Sequence, residues 1–217
     1  MGSALVKGVQ RENVIACVKH YAFNSMENAR FKVNVKADKR TEREVYLAHF
    51  KDCIDAGAAC VMSAYNLYQG VHCGHSDYLL NHVLKDKWDF DGFVISDFIW
   101  GVKDTVEAAN GGMDIEMCHT KYFGEKLVEV VKNGQVSEET INKAALRIVR
   151  TLLAFTEADN KEYKGPNWLQ GTYCLGFGSG RKVNDSFEKR SKCFTIFKRE
   201  NKTHRCYWKT WKPGKYR

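Results

Sequence analysis

Ala58-Ala-Cys-Val-Met62-Ser-Ala-Tyr65-Asn66 is a short apolar run that ends in polar residues. Its length and composition suit a strand buried on both faces, as parallel sheets require. Val14-Ile-Ala-Cys-Val18, closed by Lys19-His20, and Gly92-Phe-Val-Ile95, closed by Ser96-Asp97, repeat the pattern. Between the runs lie amphipathic segments. Residues 41–56 carry Val45, Leu47, Phe50 and Ile54 at roughly helical spacing, and residues 76–88 carry Leu79, Leu80, Val83 and Leu84 behind Ser76 as an N-cap. Residues 121–132 and 138–155 predict two more helices, the second opened by Ser137-Glu-Glu-Thr140. Strands alternating with helices mean an α/β architecture with a parallel sheet. In such folds chemistry gathers where the strands end, and three strand ends here deliver Lys-His, Tyr-Asn and Ser-Asp.

Composition divides the chain in two. Residues 164–217 hold 14 of the 34 Lys and Arg but 3 of the 26 Asp and Glu, a net of +11, and leave the rest at −3. Both prolines and three of the five tryptophans also lie there. The overall charge of +8 therefore belongs to the tail and does not mark the α/β part as a nucleic-acid or membrane-surface binder. No apolar run approaches the ~20 residues of a membrane span, and the first residues lack a secretory apolar core. The eight cysteines form no C-x-x-C pair and sit mostly in apolar stretches, which favours a reducing, cytoplasmic setting. His72-Cys73-Gly74-His75 suggests a metal only superficially, because neighbours in a short loop rarely reach one ion.

The polar strand ends each carry two readings. Asp97 is either a catalytic carboxylate or an N-cap for a helix from Trp100 onward; burying it unpaired is costly in any other role. Lys19-His20 suits hydroxyl or phosphate binding, or a solvated strand end. Tyr65-Asn66 before Gly70 reads as a turn when taken alone. Asp114 and Glu116, in Gly-Gly-Met-Asp-Ile-Glu-Met, read as structural pairing. Gly176-Phe-Gly-Ser-Gly180 looks like a phosphate loop without the flanking strand and helix that such a loop needs.

Together, in order and over about residues 8–155, these pieces resemble glycoside hydrolase family 3. The residues that carry the likeness are Val14-Ile-Ala-Cys-Val-Lys19-His20-Tyr-Ala-Phe-Asn24, Arg40-Thr-Glu-Arg43-Glu44-Val-Tyr46, Met62-Ser-Ala-Tyr65-Asn66, Gly92-Phe-Val-Ile-Ser96-Asp97-Phe98 and Gly-Gly-Met-Asp114-Ile-Glu116-Met. The resemblance implies a β-glucosidase-type exo-glycosidase on a TIM-like (β/α)8 barrel, of which residues 1–155 hold the later strands. It implies Asp97 as nucleophile, with Phe98 where the family usually has tryptophan. Lys19, His20, Met62 and Tyr65 match the residues around the innermost sugar. The substrate class is a small β-glycoside or oligosaccharide, and no metal or organic cofactor is implied. The upstream strands and the general acid/base glutamate of the downstream domain have no counterpart, so the chain alone is expected to be inactive. A β-xylosidase or β-N-acetylglucosaminidase of the same family is the enzymatic alternative, with His72 and His75 keeping open the loop acid of the latter.

Residues 156–217 are expected to be a linker and a non-native basic tail. Back-translated and read one nucleotide later, residues 204–208 permit Ile-Val-Val-Ile-Gly and residues 174–190 an amphipathic helix, which is how the family enters its second domain. Trp168 and Trp208 force glycine in that register. A frameshift near Tyr163 follows, and the tail's charge becomes an accident of codons. The rival from another class is a basic nucleic-acid-binding module through 164–217, which requires strong salt dependence.

Overall fold

The computed structural model describes residues 1–158; the expectations for the basic tail, its shifted frame and the Gly176 loop lie outside them. Three parallel strands form the main sheet: β1 (Cys17–Tyr21), β3 (Cys60–Ser63) and β6 (Phe93–Ile95), in the order β1-β3-β6. Ile95 then pairs in parallel with Ile115, which places the Asp114–Met117 segment next in line. Chain order equals spatial order at every step. Among the described residues this is the winding of a barrel wall.

Helix α1 (Gly2–Arg11) precedes β1, and the crossovers between the three strands are helical, as the periodicity predicts. Between β1 and β3 runs a continuous helix, α2, made of Lys39–Thr41, Glu42–Leu47 and Ala48–Asp55. It starts ahead of the expected residue 41, because Asp38 accepts hydrogen bonds from the amides of Arg40 (2.9 Å) and Thr41 (3.0 Å). Leu47, Phe50 and Ile54 of α2 are buried, but Val45 is 60% exposed. Two residues are about 200° of helix, so Val45 faces away from the Leu47–Phe50–Ile54 stripe. Between β3 and β6 runs α3 (Tyr78–Lys87), wound in wide i→i+5 turns. Ser76 Oγ accepts from the Leu79 amide at 3.2 Å, and Leu79, Leu80, Val83 and Leu84 are all buried, as the sequence requires. After β6 come α4 (Thr105–Asn110), α5 (Glu125–Lys132) and α6 (Glu138–Ala158).

The core lies between the helices and the sheet, where Tyr21, Val61 and Val94 meet Phe50, Leu80 and Leu84. Each such side chain contributes about 1.5–3 kcal/mol on burial. β3 is buried throughout, but β1 is not: Val14 before it is 55% exposed, and Cys17 and Lys19 face solvent. The expected strand 14–18 is thus displaced to Cys17–Tyr21. As the edge of this sheet among the described residues, it has a neighbour on one side.

A second small sheet covers the C-terminal ends of the strands. β2 (Asn34–Val35) pairs in parallel with β4 (Leu67–Tyr68), which turns back antiparallel onto β5 (Val71–His72). Gln69 (φ 53°) and Gly70 (φ 87°) form the two-residue left-handed loop that a tight hairpin requires. The Gly70 amide donates to Asn34 Oδ1 at 2.8 Å, tying the hairpin turn to β2.

Candidate active site

The register between β1 and β3 runs Val18↔Val61 and then Tyr21↔Ser63, so β1 spends one extra residue where it carries Lys19 and His20. Such a bulge re-aims side chains at a strand end. His20 turns toward β6: its Nε2 lies 3.6 Å from Asp97 Oδ2. Asp97 lies two residues beyond the end of β6 and is 6% exposed. Its Oδ1 accepts from the Phe98 amide at 2.7 Å, whereas Oδ2 is buried without a hydrogen-bond partner among the described residues. Leaving a buried carboxylate oxygen unpaired costs free energy, so an oxygen left so at a strand end marks a position kept for reaction or binding. The alternative role of Asp97 as a helix cap finds no helix: the next one, α4, is capped by Asp104, which accepts from the Glu107 amide at 2.9 Å.

Tyr65 comes from the loop after β3. Its hydroxyl donates to the Phe98 carbonyl at 2.5 Å, and its pKa is pushed up to about 12, by burial first and then by the Asp97 charge beside it. The tyrosine therefore stays a proton donor across the physiological range and holds the backbone that carries the carboxylate. Met62 is buried in β3, paired in register with Ile95. His72 Nδ1 approaches the Tyr65 carbonyl at 3.2 Å and steadies the same loop. Gly101 is required here, since a Cβ on it would fall 2.4 Å from the Asp97 carbonyl oxygen and 2.7 Å from its amide nitrogen.

The structure brings His20, Tyr65 and Asp97 together. Lys19 is exposed, makes no ion pair among the described residues, and lends its charge to the Cys17 thiol two residues earlier. The other buried carboxylates beside β6 are committed elsewhere. Asp114 Oδ1 receives Arg147 Nη2 at 2.5 Å and Nε at 3.1 Å, and its Oδ2 takes the Val94 amide at 2.8 Å. Glu116 Oε2 accepts from the amides of Tyr122 and Phe123, each at 2.8 Å, while its Oε1, buried and without a hydrogen-bond partner among the described residues, lies 3.3 Å from His119 Nδ1. Structural pairing, expected for both, is what Asp114 and the Oε2 of Glu116 do. His75 is likewise spent: Nδ1 meets Glu107 Oε2 at 3.1 Å and Nε2 accepts from the Lys103 amide at 3.0 Å.

An aromatic wall beside the site escaped the sequence reading. Phe31, from the loop between β1 and β2, lies 4.8 Å from the Tyr65 ring and 5.4 Å from that of Trp100, with Arg30 over both Phe31 and Tyr65. Phe31, Phe98 and Trp100 remain 41–50% exposed, presenting flat apolar faces at the rim. Phe31 stands in a polar loop without periodicity, so its only cue was a position after a strand's C-terminal end. Among the described residues no three His, Cys, Asp or Glu side chains cluster as metal ligands. Around Asp97 the site holds a buried carboxylate oxygen, an imidazole facing it, a phenol bonded to its backbone and an aromatic rim.

A model of the glycosyl hydrolase family 3 N-terminal domain matches residues 1–151. Thermostable beta-glucosidase B of Acetivibrio thermocellus is 41% identical over 165 residues, covering 75% of this chain and 21% of that protein. Beta-glucosidase BoGH3A of Bacteroides ovatus is 39% identical over 172 residues, covering 72% and 22%. Among solved structures, DesR, a beta-glucosidase from Streptomyces venezuelae in complex with D-glucose, superimposes with a TM-score of 0.70 at 34% identity over 76% of this chain and 23% of that one. Beta-glucosidase 3B from Thermotoga neapolitana in complex with glycerol gives 0.66 at 34% identity over 70% and 23%. The chain spans about a fifth of the length of the curated relatives it matches.

Proposed function

The chain belongs to glycosyl hydrolase family 3, and on that premise we propose that it carries the nucleophile half of a retaining β-glucosidase. The substrate class is small β-glucosides and oligosaccharides, cleaved at the terminal non-reducing residue. The observation that supports this most is the buried Asp97 Oδ2, without a hydrogen-bond partner among the described residues and faced by His20 Nε2 at 3.6 Å. In a retaining mechanism this oxygen attacks the anomeric carbon as the glycosidic bond breaks, forming a glycosyl ester that water later hydrolyses. His20 and Lys19 serve the sugar hydroxyls, and Met62 and Tyr65 wall the innermost subsite. Tyr65 also fixes the Phe98 carbonyl, and with it the direction of the Asp97 side chain.

The leaving oxygen needs a proton from a second carboxyl group ~5–5.5 Å from the first. Asp114 is held by Arg147 and the Val94 amide, and Glu116 by two backbone amides at Oε2 and by His119 beside Oε1, and neither is proposed to supply it. Of the two histidines that could be the loop acid of the N-acetylglucosaminidase alternative, His75 has both nitrogens occupied and His72 has Nδ1 on the Tyr65 carbonyl, so that alternative rests on His72. The 217-residue chain alone is therefore proposed to be inactive. Residues 1–155 act as part of a barrel, and residues 156–217 as a linker and tail read out of frame. Sequencing the gene through codons 155–170 tests the last point, and an unbroken frame would refute it.

The functional test is a chimera in which residues 1–151 replace the matching segment of the Acetivibrio enzyme. Hydrolysis of an aryl β-glucoside is expected from the chimera and not from the isolated chain. Asp97→Asn should lower the rate by at least about 10³-fold. Full activity in Asp97→Asn would refute the assignment, and preference for the xyloside or N-acetylglucosaminide would transfer it to that activity.

A further inference from the structure

Cys17 opens β1 and Cys60 opens β3, and the two are register partners in neighbouring parallel strands. They lie at the N-terminal ends of the strands, at the opposite end from Asp97. Their sulfurs are 3.2 Å apart, with the Cys60 thiol donating to Cys17 Sγ, and both are free thiols. Adjacent strands hold their Cα atoms ~4.8 Å apart, inside the range a disulfide spans without backbone movement. The two differ in access: Cys17 is exposed and Cys60 is 3% exposed. Their acidities also differ. The Cys60 hydrogen bond, with help from the Lys19 charge, brings the Cys17 thiol down despite partial burial, and the same pairing with burial pushes Cys60 up. An accessible thiol of lowered pKa backed by a second thiol in contact has the form of an attacking and a resolving cysteine.

We infer that Cys17 and Cys60 form a thiol–disulfide exchange site whose reaction partner is a low-molecular-weight disulfide. The Cys17 thiolate attacks one sulfur of the reagent, forming a mixed disulfide and expelling one thiolate. Cys60, losing its proton to that thiolate, then attacks Cys17 Sγ and expels the second. The reagent takes up two electrons and leaves as two thiols, while the protein gains one cross-strand disulfide. The bond staples β1 to β3 two residues before Lys19. This site stands independently of the glycosidase reading, since neither sulfur belongs to the Asp97 constellation.

The test treats the reduced 217-residue chain with oxidised glutathione at neutral pH, followed by alkylation and peptide mass mapping. The Cys17–Cys60 cross-link should be the main early product, formed in preference to any adduct at the exposed Cys118. Cys60→Ala should accumulate glutathione on Cys17, and Cys17→Ser should leave Cys60 unmodified. Repeating the reaction in denaturant should abolish the preference, because 43 residues separate the two in the chain. A Cys17 adduct in the wild type that never converts to the cross-link would overturn the inference. So would Cys60 reacting unaided, or a preference that survives unfolding.

Discussion

Replacing Arg147 by methionine removes the clamp between α6 and the segment that follows β6 in the sheet. Asp114 is fully buried, and Arg147, itself only 19% exposed, gives its Oδ1 two hydrogen bonds at 2.5 and 3.1 Å. Breaking a buried pair from one side costs about 3–5 kcal/mol, because the remaining charge is stranded. Here Lys85 Nζ stays 3.5 Å from the same oxygen, and methionine keeps part of the arginine stem in contact. The loss expected is therefore about 2–3 kcal/mol. With a urea dependence of about 2 kcal/mol per molar for a domain of this size, the midpoint should fall by about 1–1.5 M. The assay is urea unfolding followed by tryptophan fluorescence.

The same substitution has a second readout that simple loss of packing would not move. Burial holds Lys85 down at about 8, against its ordinary 10.5, with the neighbouring Arg147 charge lowering it further and Asp114 opposing. Between those values the unfolded chain keeps a proton that the folded chain has shed, so this group makes stability rise with pH from about 8 toward 10.5. Without Arg147 the repulsion is gone, and the rise should begin at higher pH. An unchanged midpoint, or a rise starting at the wild-type pH, would refute the clamp.

Gly101→Ala should reduce glucosidase activity of the chimera by about 10²-fold with far-UV circular dichroism unchanged, since the added methyl meets the Asp97 backbone at 2.4 Å and shifts the carboxylate. Unaltered activity would show that the loop yields without moving Asp97. His75 is held neutral chiefly by burial, its pKa below the ordinary 6.5. The unfolded chain then takes up its proton first as pH falls below 6.5, so urea midpoints should decline there, and His75→Gln should flatten that decline. A decline of equal slope in the variant would assign it to other groups.

What the sequence revealed and what it hid have physical causes. β3, β6 and α3 were legible because central strands and a helix packed on them bury every core-facing residue, so pattern and burial coincide. Asp97 was legible as the polar end of such a strand. β1 was misplaced because an edge strand need not be apolar: its true span, Cys-Val-Lys-His-Tyr, carries charge within it. Val45 misled because apolar residues two apart on a helix face opposite ways. Phe31 meeting Tyr65, and Arg147 meeting Asp114, join residues more than 30 apart through loops and packing that no local period encodes. The approach of His20 to Asp97 likewise comes with the bulge in β1, a register feature with no signature in one strand's sequence.

The central claim is that Asp97 Oδ2 is the attacking oxygen, and trapping it is the most direct measurement. The chimera carrying residues 1–151 is incubated with an activated 2-deoxy-2-fluoro-β-glucoside, which forms the glycosyl ester but hydrolyses it slowly, and the labelled peptide is sequenced by mass spectrometry. The sugar is expected on Asp97, in stoichiometric yield and in step with loss of activity. A label on Asp114, Glu116 or any other carboxylate, in an enzyme that turns over, would contradict the account.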